Sequence, residues 1–137
     1  MKLHTFRIKP GNDLKLELEK FVKDNGIKAG FIITRVGGLS QATMRMAGAM
    51  PEKQDIQTYK GGYEITSLVG TVSVKGVHLH MSISDSEGKG FGGHLKEGTI
   101  IHPTAEIVIG EDEQVTYTRE LDKETGFPEL VVSDSDD

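Results

Sequence analysis

The sequence predicts an α+β domain, in which a mostly antiparallel sheet of about seven strands packs against one main N-terminal helix. Its 137 residues, 36% of them hydrophobic, are enough to close one core without disulfide or metal staples. One early segment repeats its apolar residues at the helical period, whereas the rest alternates at the strand period between short connections. A single helix followed by consecutive strands is the pattern of an antiparallel α+β fold.

The chain begins with a predicted strand and the predicted helix. Residues 2–9 alternate in polarity and end at a Pro-Gly pair, which favours a turn. Residues 13–25 form the helix, because their apolar side chains recur at i, i+4, i+7 and i+8. Asn12 or Asp13 can cap its start, and Asn25-Gly26 can end it in a left-handed turn.

The strands after the helix are predicted from β-branched and alternating segments. Segment 31–36 stops at Gly37-Gly38 and is expected to pair back on 42–46 as a hairpin. Residues 50–61 are polar and are expected to form a loop with at most a short edge strand. Later strands are predicted over 63–74, 77–84, 100–109 and 114–119.

The C-terminal segment differs in composition from the rest of the chain. Residues 1–128 are predicted to form one domain, and 129–137 an acidic, disordered C-terminal tail. The tail ends in small and charged residues, Ser133-Asp134-Ser135-Asp136-Asp137, which have little apolar surface to bury.

The composition excludes several classes of site. There is no cysteine, which excludes disulfides, thiolate zinc sites and cysteine nucleophiles and suits a reducing cytoplasm. The formal charge is −5, from 16 lysines and arginines against 21 acidic residues, which disfavours binding to a phosphate backbone. The sequence shows no signal peptide and no apolar window of about 20 residues. We therefore expect a cytoplasmic protein with no membrane contact.

The best-patterned strand carries two histidines on one face. His78 and His80 alternate with the apolar Val77, Leu79 and Met81, so both imidazoles project from the same side. The glycine-rich loop that follows can fold His94 back over that side.

Three imidazoles with a coordination position left open are typical of catalytic or ligand-binding zinc, and imidazole also suits nickel, copper or iron. The sequence thus predicts a site for zinc or another divalent transition metal at His78, His80 and His94, with His102 as a candidate fourth ligand. The alternative is that these strand histidines only form hydrogen bonds. The glycine run 88–93 also fits a dinucleotide motif, but the helix that such a motif requires does not follow it.

Three further charged residues are candidates to support the metal or to bind a ligand. Glu106 alternates with apolar neighbours on its strand, so it can face the cavity of the histidines and act as an acid or base. Arg35 and Arg45 can form an anion clamp. The alternative for each is a solvated strand position.

Several motifs together resemble a known family. The stretch that begins Gly62-Tyr63-Glu64-Ile65 is similar to the Gly-Arg-Phe-Glu-Ile-Leu-Ser-Leu-Ser-Gly signature of the PPC domain (plants and prokaryotes conserved). Segments 38–45, 78–85, 92–95 and 104–109 follow the same family in order. Over residues 3–120 the chain resembles a stand-alone PPC domain of the prokaryotic type.

The resemblance implies a fold, an assembly and a partner site. It implies a compact domain that assembles as a homotrimer, with a fold similar to acetolactate decarboxylase, whose zinc is bound by histidines. In plant relatives the signature stretch binds partner transcription factors, which implies partner binding at Gly62, Tyr63, Glu64 and Ile65. Those relatives bind AT-rich DNA through an AT-hook. This sequence has no Arg-Gly-Arg-Pro hook, so direct DNA binding is not expected.

Three functions therefore compete. The preferred one is a homotrimeric binding or regulatory module with a three-histidine metal site, which binds a protein partner or a small-molecule ligand. The first alternative is a metal-dependent lyase or hydrolase that acts on a small oxygenated substrate. The second is a DNA-binding protein of the PPC/AT-hook family.

Overall fold

The structure, a computed structural model, describes residues 1–135. In that part of the chain one helix and eight strands follow each other: β1 (Lys2–Ile8), α1 (Leu14–Asp24), β2 (Gly30–Arg45), β3 (Ile56–Ser73), β4 (Gly76–Ser84), β5 (Gly90–Leu95), β6 (Ile100–Glu111), β7 (Val115–Leu121) and β8 (Pro128–Asp134). The predicted α+β class, mostly antiparallel with one helix, is confirmed.

Six of the strands form one antiparallel sheet in the order β1-β6-β2-β3-β4-β5, within the described residues. The end of β2 also pairs with β5, so the sheet curls back on itself at this edge. Strands β7 and β8 form a separate two-stranded hairpin.

The helix forms where its sequence predicts and covers one face of the sheet. The Asp13 side chain accepts a hydrogen bond from the Leu16 amide at 3.1 Å, which caps the first turn. The apolar stripe Leu14, Leu18 and Val22 is completely buried in the core. Burial of this stripe, rather than helix propensity, holds so short a helix in place.

Strand β2 is longer than predicted, and the expected hairpin of 31–36 with 42–46 is wrong. Gly37 and Gly38 do not turn the chain but let β2 pass close to β6. A Cβ at Gly37 would lie 2.3 Å from the Thr104 carbonyl oxygen, and one at Gly38 would lie 2.6 Å from that of His102. The glycine pair therefore marks close strand packing instead of a turn.

Two further segments that were expected to be loops are strands. Strand β3 begins at Ile56, inside the predicted loop 50–61, and its first residues pair with the end of β2. Strand β5 lies in the glycine-rich segment that was expected to be a loop before His94. In both segments the backbone pairing outweighs a polar or glycine-rich composition.

The expectation of a disordered tail from residue 129 is wrong for residues 129–134. These residues form β8, which pairs with β7 from Leu121↔Pro128 to Val115↔Asp134. The strand forms because its centre is apolar, with Leu130, Val131 and Val132. The acidic residues at the end of the segment dominate its composition and led to the expectation of disorder. Asp136 and Asp137, the last residues of the predicted tail, lie outside the described residues.

Candidate metal centre

Strand β4 presents His78 and His80 on the side of the sheet that faces away from the core. Leu79 and Met81 are each 1% exposed and pack into the core, so the alternating histidines project outward. His78 is half-buried and His80 is exposed. This is the arrangement that the period-two pattern predicts.

His94 reaches the same side because β4 and β5 form a tight hairpin. The register places His94 directly opposite His80. Asp85 fixes the turn, since its carboxylate accepts hydrogen bonds from the Glu87 and Lys89 amides at 2.9 and 3.0 Å. On β5, a Cβ at Gly92 would lie 2.2 Å from the Met81 carbonyl oxygen, so a glycine is required for this pairing.

The three histidines meet in space. One ring nitrogen from each of His78, His80 and His94 lies within 4.8 Å of the others. Their ring centroids are 5.2 Å apart for His78–His80, 5.0 Å for His78–His94 and 5.7 Å for His80–His94. Three imidazoles gathered on one side of a sheet are a donor set that fits a divalent transition metal.

The surroundings keep two of these rings uncharged. Burial and the Arg45 charge lower the pKa of His94 to about 3. Burial and the Arg119 charge also lower the pKa of His78. Because a metal binds the neutral imidazole, at neutral pH these rings are already in the form that coordinates.

Arg45 lies against the cluster. Its Nη2 is 3.2 Å from His94 Nδ1, and its guanidinium lies 5.0 Å from the centroid of the Phe127 ring. An arginine can only donate hydrogen bonds, so His94 Nδ1 accepts and the ring hydrogen is on Nε2. Of the two arginines predicted as an anion clamp, Arg45 is thus beside the histidines.

Three cavities surround the cluster, and each is lined by a different pair of the histidines. The cavity beside His78 and His94 has a volume of about 370 Å³. The cavity beside His80 and His94 has about 380 Å³, and the one beside His78 and His80 has about 340 Å³. The cluster is therefore accessible from several directions, which suits a site with an open coordination position.

The β7–β8 hairpin forms one wall of this region, a placement that the sequence does not predict. Arg119 on β7 donates from Nη2 to the Thr71 hydroxyl oxygen at 3.0 Å, which holds it beside His78. Phe127 and Glu129 line the same cavity. The only available sequence signal was the alternation of β7 itself, because no motif links 115–134 to the histidines.

Arg35 and Glu106, two of the predicted supporting residues, lie elsewhere. The expectation that Glu106 faces the histidines is wrong, because β2 and β3 lie between its strand β6 and β4. Its register neighbours are Arg7 and Val36, and it is exposed. Arg35 donates from Nη2 to the Thr66 carbonyl oxygen, away from the three cavities.

A separate groove of about 800 Å³ contains the predicted partner-binding residues. His102, the candidate fourth ligand, also lines this groove rather than a histidine cavity. Tyr63 packs edge-on against Phe91 at a centroid distance of 5.8 Å, and Gly62 and Glu64 are exposed. Ile65 is 7% exposed and belongs to the core.

The fold and the site together define a class: a small, curled antiparallel domain with a cluster of three histidines on its outer side. The sequence profile of the Plants and Prokaryotes Conserved domain, abbreviated PCC or PPC, matches residues 1–113. The chain belongs to this family. The profile ends before β7, so the hairpin that lines the histidine cavity lies outside the matched segment.

Two curated proteins match most of this chain. The chain is 38% identical over 132 residues to the bifunctional protein GlmU of a Synechococcus strain, matching 96% of this chain and 21% of that protein. The chain thus spans about a fifth of the length of the curated relatives that it matches.

Among solved structures, a hypothetical protein from Salmonella is 32% identical, with a TM-score of 0.91, over 97% of this chain and 94% of that one. A plant- and prokaryote-conserved protein from Pyrococcus horikoshii is 31% identical, with a TM-score of 0.81, over 93% and 90%.

More distant structures bear on the other expectations. A metal-containing protein from Archaeoglobus fulgidus is 25% identical over 96% of this chain and 94% of that one, with a TM-score of 0.79. The α-acetolactate decarboxylase of Bacillus subtilis has a TM-score of 0.51 at 20% identity, over 80% of this chain and 52% of that one, which confirms the predicted likeness of fold. Two neighbours provisionally named as DNA-binding proteins, at 24% and 22% identity, likewise show the fold alone.

Proposed function

We propose that this PPC domain is a homotrimeric binding or regulatory module whose ligand site is a metal centre held by His78, His80 and His94. The observation that carries the proposal is the approach of the three ring nitrogens to within 4.8 Å of one another. Zinc or another divalent transition metal matches a set of three imidazole ligands. When bound, such an ion supplies a Lewis acid with a free coordination position.

The neighbouring side chains support a ligand-binding role. Arg45 packs on Phe127 and contacts His94, which orients its guanidinium beside the metal position. A solved relative from Archaeoglobus fulgidus is described as metal-containing, which supports a metal in this fold. The cytoplasmic localisation expected from the cysteine-free sequence stays a prediction, as does partner binding at the groove of Gly62, Tyr63 and Glu64.

The competing functions receive less support from the described residues. In the lyase or hydrolase hypothesis, Glu106 or Arg35 assists the metal. The strand of Glu106 lies three positions from β4 in the sheet, and Arg35 lies outside the three histidine cavities. Among residues 1–135, no helix is long and apolar enough to cross a membrane. The net charge of −5 and the missing AT-hook continue to disfavour direct DNA binding.

The proposal is tested by the metal content of protein purified without a histidine tag. We expect about one equivalent of metal per chain in the wild type, because a preformed site retains its ion through purification. The combined His78→Ala, His80→Ala and His94→Ala variant is expected to lose it.

His102→Ala is the matched control, because this histidine is exposed and lines the separate groove. It is expected to keep the metal. Less than about a tenth of an equivalent in the wild type would contradict the proposal, since occupancy follows directly from affinity. Equal metal content in the triple variant and the wild type would contradict it as well.

A further inference from the structure

The cavity beside His78 and His94 differs in charge from the two other cavities around the histidines. Its lining carries three cationic side chains, Arg45, Lys75 and Arg119, against one carboxylate, Glu129. In the cavity beside His78 and His80, the charge of Arg119 is balanced by that of Glu129. In the cavity beside His80 and His94, Arg45 is the only lysine, arginine or acidic side chain in the lining. In a chain of net charge −5, this excess of positive charge is local.

We propose that this cavity binds a small carboxylate anion, which contacts the metal centre on one side and the guanidinium groups of Arg45 and Arg119 on the other. This inference rests on the proposed metal centre and deepens it by naming the class of ligand. The volume of about 370 Å³ lies near the lower end of ligand pockets, so it suits a small molecule. Arginine forks match carboxylates in planar, charge-assisted pairs.

Each arginine is held for this contact. Arg119 is fixed by its hydrogen bond to the Thr71 hydroxyl at 3.0 Å, and Arg45 rests on the Phe127 ring. Holding both guanidinium groups in advance lowers the cost of ordering them when an anion enters.

A metal bound at His94 would also free the Arg45 donors from their present hydrogen bond. The arginine now donates to the lone pair on His94 Nδ1. If the metal uses Nδ1, it takes that lone pair; if it uses Nε2, the ring hydrogen moves to Nδ1, which then no longer accepts. In both cases the Arg45 donors lose this acceptor, and a carboxylate can replace it.

Part of this pocket lies outside the segment that matches the family profile, because the β7–β8 hairpin lines it. Arg119, Phe127 and Glu129 all come from residues after 113, where the match to the family profile ends. The histidines, Arg45 and Lys75 belong to the matched segment, whereas the hairpin adds Arg119 and Glu129, whose charges cancel. The hairpin therefore supplies one of the two guanidinium groups proposed to contact the anion, and the matched segment supplies the other.

Titration calorimetry of metal-loaded protein with succinate tests the proposal, at constant ionic strength. Succinamide is the uncharged probe of similar shape. We expect saturable binding of succinate and none of succinamide. Arg119→Gln is expected to weaken succinate binding about tenfold, because a charge-assisted pair is lost, while the metal content stays unchanged.

Lys123→Gln is the matched control. It removes the same charge from the turn of the same hairpin, where the side chain is exposed and outside the cavity. Lys75→Gln is a second test variant. Lys75 lies in the exposed turn between β3 and β4, so a loss of succinate binding in this variant cannot come from misfolding of the β7–β8 hairpin. We expect weaker succinate binding for Lys75→Gln and wild-type binding for Lys123→Gln.

The outcomes separate the two proposals. Equal binding of succinate and succinamide, no binding of either, or equal affinities of Arg119→Gln and Lys123→Gln would overturn the anion pocket and leave the metal centre standing. A wild type without metal would overturn the metal centre. In that case the pocket is upheld only if succinate still binds in a manner sensitive to Arg119→Gln, and is overturned otherwise.

Discussion

Gly70 shows how closely single residues control the position of the histidine cluster. It lies on β3 opposite Leu79, and a Cβ at this position would lie 2.0 Å from the His78 carbonyl oxygen. Its φ of +143° is also in the region that favours glycine. Without a side chain here, β3 and β4 can pair along the segment that presents His78.

Gly70→Ala is therefore expected to destabilise the protein by about 2–4 kcal/mol, because the backbone must move and the residue is strained. Thermal unfolding measures this as a lower Tm. The control is Gly62→Ala, where nothing lies within 4 Å of the new Cβ. A Tm for Gly70→Ala equal to that of Gly62→Ala would show that the strands do not approach this closely.

The residues of the site were only partly predictable from sequence. The period of a strand is two, so the alternation around His78 and His80 suffices to place both on one side. Glu106 also alternates as predicted, yet its strand β6 is three positions from β4 in the sheet. At the usual strand spacing, β6 and β4 are therefore roughly 14 Å apart. The alternation of residues along one strand does not indicate which strands are its neighbours.

At the level of elements, Asp13 connects the helix to the sheet. One carboxylate oxygen caps α1 through the Leu16 amide, and the other accepts from the Gly98 amide at 2.7 Å. The residues after Gly98 lead directly into β6. One side chain thus fixes both the start of the helix and the loop before the strand.

Asp13→Ala is expected to cost about 1–2 kcal/mol, the range for loss of an N-cap, and the second lost bond favours the upper end. Denaturant unfolding measures this as a lower midpoint at unchanged slope. Asp24→Ala is the control on the same helix. Its ion pair with Lys20 is exposed, so its loss is expected to cost less than about 0.5 kcal/mol. An equal loss of unfolding free energy in Asp13→Ala and Asp24→Ala would show that Asp13 does not stabilise the start of the helix.

The sequence predicts an element when its own residues carry consistent signals, such as a cap and an apolar stripe. It does not predict an element that forms only through pairing with strands far along the chain. The helix has both a cap and a buried stripe, so 13–25 was close to the observed α1. Strand β5 contains three glycines in six residues and forms because it pairs with β4 and β2. Its sequence favours a loop, and only the long-range register makes it a strand.

On the scale of the whole molecule, the outer face of the sheet is incompletely covered. Val36 on β2 and Val69 on β3 are 59% and 55% exposed, although both lie on central strands of the sheet. One face of an antiparallel sheet can be solvated, but that face is then usually polar, so exposed apolar side chains on central strands indicate a contact surface. We propose this face as the contact surface of the homotrimer that the family resemblance implies.

We expect light scattering to give a mass of three chains of 15.0 kDa each. Val36→Lys is expected to dissociate the trimer, because a charge would be buried in the contact. Val132→Lys is the control, since this valine is 54% exposed on the separate hairpin. A monomeric wild type, or the same mass for both variants, would refute this interface.

Anomalous diffraction from crystals of untagged protein is the sharpest test of the metal centre. X-ray fluorescence identifies the element, and the anomalous difference map locates it. We expect one peak per chain, about 2.0–2.1 Å from a nitrogen of each of His78, His80 and His94, with the next coordination position free of protein ligands. The absence of a peak there, or a peak at another group of residues, would contradict it.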